Sequence, residues 1–168
     1  MPNTSPIRCL KRLDISVSET IRDRPNIPQT EKADFLMTTT ALSVAEIKKL
    51  VSFLPRLYAK GFTPVQKWGG ASERQDGSLS LPWPEYDRLA REFFKLASQD
   101  CWTDYDYDIA TAEKNLNDEN VFKTADLDQI KAMLTYCVRG EKFCDGHWGA
   151  MVEGGQIRRD LERLDQLQ

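Results

Sequence analysis

The sequence is poor in the residues and patterns that mark most chemistries. It has one histidine and four cysteines in 168 residues. Four thiols without an export signal are too few for a disulfide scaffold, so reduced cysteines and a cytoplasmic location are expected. The opening "MPNTSPIRCLKRLDISVSET" has neither the apolar core nor the small-residue cleavage site of a secretory signal. No run approaches the roughly 18 apolar residues of a membrane span. Excess positive charge is also missing. The net charge is −3, which argues against a protein that coats DNA through a basic stripe. Also absent are the P-loop, G-x-G-x-x-G, G-x-S-x-G and H-E-x-x-H patterns, internal repeats and low-complexity tracts. No cofactor and no membrane partner are expected.

What is present suits one domain with room for a tail. Hydrophobic residues make up 40% and aromatics 10%, enough to bury an ordinary core. Residues 1–42 show no sustained period and contain "RDRPNIPQTEK", two prolines among polar groups. They read as a flexible or extended N-terminal arm, with one short helix near Arg8 to Leu13. From Ser43 the pattern turns helical, so residues 43–168 are expected to form a helical domain. "SVAE" has the form of a capping box, followed by Ile47, Leu50, Val51, Leu54 and Leu57 at helical spacing. Pro55 should kink or split that helix. Phe62 to Leu81 reads as a loop, with "TPVQKW" as a possible short strand. A further helix is expected over "LPWPEYDRLAREFFKLAS" with Pro84 in its first turn, and others over Ile109 onward, Asp126 to Arg139 and Gln156 to Leu167. The fold class expected is mainly α, a compact single-domain bundle of about five or six helices with an irregular arm.

Chemistry-bearing residues concentrate in "TYCVRGEKFCDGHWGAM", Thr135 to Met151. Cys137, Cys144 and His147 are potential zinc ligands, but only Cys144 and His147 are closely spaced, and Cys137 lies on an apolar helix face. A Cys144 nucleophile with His147 as its base would lack an orienting third group, and Asp145 opposes a thiolate. The plainer expectation is a corner between helices. Gly140 supplies a left-handed cap, Phe143 drops into the core, and Asp145 caps the next short helix, with Gly146 and Gly149 allowing close packing. The "DYDYD" turn, Asp104 to Asp108, fails as a calcium loop because Ile109 and Asn115 stand where Gly and Glu are needed. Asp108 reads as the cap of the helix after it. In the last helix Arg158, Arg159 and Arg163 face away from the leucines. They share that side with Asp160, Glu162 and Asp165, which predicts a solvated, self-paired surface, not a DNA-reading one.

"CWTDYDYD" and "LDQIKAMLTYCVRGEKFCDGHWGAMVEGGQI" together resemble a group of small bacterial proteins classed only as a domain of unknown function. The resemblance runs from about Trp83 to Leu164 and centres on an L-T-x-x-V-R-G-E-K-F-x-x-G-H run. It implies membership and no activity.

The function expected is a non-enzymatic binding or regulatory module acting through protein–protein contacts, with a protein partner favoured over nucleic acid. Its surface would centre on Arg139, Glu141, Lys142, His147 and Trp148. The rival is a small, hydrolase-like enzyme, metal-assisted in one version, using Asp104 or Asp106 as acid/base or metal ligand, His147 as base and Arg139 as an anion clamp.

Overall fold

A computed structural model describes residues 42–70, 72–73 and 77–168. The arm expected before the domain lies outside these residues, apart from Leu42. Among the described residues, eight α-helices and two short antiparallel ribbons follow one another: α1 (Val44–Val51), α2 (Leu54–Leu57), β1 (Val65–Gly69), β2 (Ser72–Glu73), β3 (Leu79–Ser80), β4 (Trp83–Tyr86), α3 (Arg88–Ala97), α4 (Ile109–Leu116), α5 (Glu119–Thr124), α6 (Leu127–Arg139), α7 (His147–Glu153) and α8 (Gln156–Gln166). The class is mainly α, as the periodicity implied.

The count exceeds the five or six helices expected because short helices break where local chemistry demands it. Ser43 and Glu46 form the capping box of α1. The helix stops at Val51 and resumes as α2 with Pro55 in its first turn, where a missing N–H costs nothing. Asp108, Asp118 and Asp126 each accept a backbone N–H at the start of α4, α5 and α6. Three successive caps within a short stretch divide it into three helices.

The start of α3 differs from expectation. Trp83–Tyr86 pairs with β1 as an antiparallel strand, and Asp87 caps a helix that begins at Arg88. Pro84 therefore stands in a ribbon, opposite Trp68, instead of in a first helical turn. A two-stranded ribbon has outward-facing backbone positions where a missing N–H is tolerated.

The core is a single cluster. Phe93 and Phe94 of α3, Ile130, Met133, Leu134 and Cys137 of α6, and Ile157, Leu161 and Leu164 of α8 are fully buried. Trp102, just after α3, is fully buried with them. Central α6 therefore presents one face to the core, and its far end delivers Arg139 to the surface. Burial of a side chain of this size contributes about 1.5–3 kcal/mol before entropy is counted.

Candidate functional site

The corner follows α6 directly. The chain runs from Arg139 through a 3-10 turn at Gly140–Lys142 and re-enters a helix at His147. Gly140 is right-handed, with φ −57°, and does not form the left-handed cap expected of it. Its lack of a side chain serves close packing: a Cβ there would run into the His147 imidazole. The left-handed residue is Gly146, φ 89°, directly before α7.

Asp145 does not cap α7 either. It is exposed, and the cap comes from Glu141. One carboxylate oxygen accepts the Gly146 N–H at 3.1 Å, and the other accepts the Trp148 N–H at 2.9 Å and the Tyr86 hydroxyl at 2.6 Å. An anion at the positive end of a helix, holding N–H groups that lack intrahelical partners, is the favourable arrangement. Burial, and then the neighbouring Glu141 carboxylate, push the Tyr86 hydroxyl well above its ordinary pKa, so it stays a donor.

Trp148 is pinned on several sides. Its ring stacks on Phe94 at 4.6 Å between centroids, lies 5.3 Å from Tyr86, and its indole N–H donates to the Val138 carbonyl at 3.0 Å. His147 sits edge-on to Tyr136, with centroids 5.6 Å apart. Its Nε2 is buried with no hydrogen-bond partner. Burial lowers its pKa, against the weaker opposing pull of Glu141, so the ring is neutral at pH 7.

The β1–β4 ribbon crosses the same helix. Val65 packs against Gly149, and the Trp68 ring lies over Gly146, where added Cβ atoms would meet them at 2.6 Å. The close packing expected of these two glycines is therefore present, and the occupant is the ribbon. Phe143 reverses its expected role. It is 87% exposed, because the 3-10 turn aims it outward and Glu141, not an apolar anchor, ties the turn down. Lys142 is exposed beside it.

Arg139 reaches the DYDYD turn through its tyrosines. The guanidinium lies 5.8 Å from the Tyr105 centroid and 5.4 Å from that of Tyr107. The carboxylates of Asp104 and Asp108 are occupied in shaping that turn and the helix after it. Asp104 Oδ1 accepts the Asp106 N–H at 3.0 Å, the Asp104 N–H donates to Thr135 Oγ1 at 2.9 Å, and Asp108 caps α4 as expected. So the structure joins Arg139 to the turn, while the His147 ring packs on Tyr136 and over Gly140, and its backbone N–H donates to the Cys144 carbonyl at 3.0 Å.

The thiols separate. Cys137 is fully buried, and burial together with the nearby Asp160 carboxyl pushes its thiol well above the ordinary range. Cys144 is half-buried at the turn. Among the described residues, no group of three or more histidine, cysteine, aspartate or glutamate side chains gathers as a metal would require.

On α8, Arg158, Glu162 and Asp165 are exposed as expected, but among the described residues no ion pair joins the helix's arginines to its carboxylates, so the expected self-pairing is not formed. Arg158 lies over the Tyr58 ring at 4.2 Å. Arg159 lies over Phe122 at 4.5 Å and donates to the Leu116 carbonyl, and Arg163 donates to the Ala125 carbonyl at 2.8 Å. Arg159 and Arg163 thus tie the α4–α6 region to α8, while Arg158 meets the residue that follows α2. Asp160, expected on the exposed side, is fully buried, and neither carboxylate oxygen has a partner. Sequence reasoning missed Asp160 and the capping role of Glu141. A hint for Asp160 was available: it stands three residues after Ile157 and four before Leu164, in the register of the apolar stripe.

Among the described residues, no helix is long and apolar enough to cross a membrane. No curated protein and no solved structure matches the chain. Residues 42–168 match the sequence profile of a family of unknown function, DUF6508, and the chain belongs to that family.

Proposed function

We propose that this domain is a non-enzymatic binding module, acting through protein–protein contacts made by the Arg139–Trp148 corner. One observation carries the reading: three large aromatic side chains at and around the corner are exposed, and one of them packs against a partly buried arginine. Tyr105 is 60% exposed beneath Arg139, Phe143 is 87% exposed on the turn, and Trp68 is 51% exposed over Gly146. Tryptophan, tyrosine and arginine are the residues that dominate protein interfaces, and a large apolar side chain held out on a short turn gains nothing for folding. Glu141, Trp148 and His147 form the rigid base beneath this surface, which limits the entropy lost on docking. The acid/base roles considered for Asp104, Asp106 and His147 gain no comparable support, since Asp104 is tied up in its turn and His147 Nε2 is buried.

The test is capture of partners by the full chain in its native host, alongside the Phe143→Ala and Arg139→Ala variants. A specific partner should lose roughly 30-fold in affinity with either change. Recovery of free chain alone, together with turnover of a metabolite by the purified protein, would overturn the reading.

A further inference from the structure

A cleft of about 360 Å³ opens on another part of the domain, between the residues after α2 and the turn joining α7 to α8. Apolar residues contribute to its lining: Leu57, Pro64 and Val152, all buried, and the partly buried Tyr58 and Phe62. The Tyr58 hydroxyl donates to the Val152 carbonyl at 3.1 Å, which fixes one wall. Gly155, left-handed at φ 79° with open space where a Cβ would stand, reverses the chain. Glu153 and Arg158, on either side of that reversal, both line the cleft.

These two groups have opposite charge, yet among the described residues neither forms an ion pair with the other or with any third group. The Arg158 guanidinium carbon lies over the Tyr58 ring, 4.2 Å from its centroid. Arg158 is exposed and in no ion pair, so its N–H donors stay available to a carboxylate. A cation and an anion lining one cleft with apolar residues, too far apart to form an ion pair, suit a ligand that carries both charges and an apolar group. The volume lies at the small end of ligand pockets, which run from about 300 to 1,000 Å³.

We propose that this cleft binds a free apolar α-amino acid as its zwitterion: Arg158 takes the carboxylate, Glu153 takes the ammonium, and the side chain lies on Leu57, Pro64 and Val152. The site is independent of the aromatic corner and stands or falls separately from it.

Titration calorimetry on the full chain tests it, with L-leucine and L-phenylalanine as probes. Saturable binding of at least one is expected. Arg158→Met and Glu153→Gln, both at exposed positions, should each weaken it by about tenfold or more. N-acetyl-L-leucine and L-leucine amide, each lacking one charge, should lose a similar factor. No saturation by either probe at concentrations of about 10 mM would overturn the proposal. So would unchanged affinity in Arg158→Met, N-acetyl-L-leucine binding as well as leucine, or tighter binding of a peptide ending in leucine, which would make the cleft a site for chain termini.

Discussion

Replacing Asp160 with leucine should stabilise the domain, and by more as pH rises. Asp160 is fully buried, and both carboxylate oxygens lack a partner. Desolvation raises its pKa well above the ordinary carboxylate value, opposed only by the charge of Arg159. At low pH the carboxyl is neutral in both the folded and unfolded states. What remains there is the cost of an unsatisfied buried polar group, about 1–3 kcal/mol. Leucine has the same branching at Cγ, so it removes that cost with little change of shape.

As pH rises past about 4, the unfolded chain releases this proton while the folded chain keeps it. Unfolding then releases a proton, and the stability present below the unfolded pKa is lost as pH rises toward the folded pKa. For one group the slope reaches about 1.4 kcal/mol per pH unit. The stability difference between Asp160→Leu and wild type should therefore widen steadily above about pH 4. Urea unfolding followed by tryptophan fluorescence, repeated from pH 4 to 8, measures it directly. Each kcal/mol corresponds to about 2–4 °C in Tm for a chain of this size. Asp160→Asn separates ionisation from packing, because it removes the pH-dependent part and keeps the polar group. A difference that stays flat with pH in both variants would refute the reasoning, as would a leucine variant less stable than wild type at pH 7.

Four further outcomes follow from the corner. The single histidine gives one imidazole signal in an NMR titration, and because burial lowers its pKa the signal should move only below the ordinary histidine range. The sign is opposite to that of Asp160: as pH falls the unfolded chain binds the proton first, so His147 contributes stability above about pH 6.5 that is lost on acidification. A midpoint at or above 6.5 would contradict the packing of its ring. Glu141→Ala removes the acceptor for two amides and a hydroxyl; it should cost about 2 kcal/mol by denaturant unfolding, with faster hydrogen exchange at Gly146 and Trp148. Gly146→Ala combines a left-handed backbone with a collision against Trp68 and should cost about 1–3 kcal/mol, visible as a lower Tm and altered tryptophan emission. Phe143→Ala, on the same turn but exposed, should stay within about 0.5 kcal/mol of wild type.

Local signals in the sequence carried the helices a long way. The capping box at Ser43, the break at Pro55, the Asp108 cap and the apolar faces of α6 and α8 were all legible, because each depends on residues within a turn or two of one another. The family resemblance was legible for the same reason, as a run of consecutive residues. What the tertiary structure decided depends on partners distant in sequence. Asp145 satisfies every local rule for a cap, yet Glu141 takes the amides of α7 because the ribbon brings Tyr86 to the same carboxylate, 55 residues away. Phe143 has the composition of a core residue, and only the direction of a 3-10 turn sends it into solvent. Charge spacing on α8 suggested ion pairs along the helix, but the arginines found stronger partners in aromatic faces and carbonyls across the fold, leaving Asp160 alone in the core. Periodicity records which residues can share a face; which face meets which neighbour is settled when the chain packs.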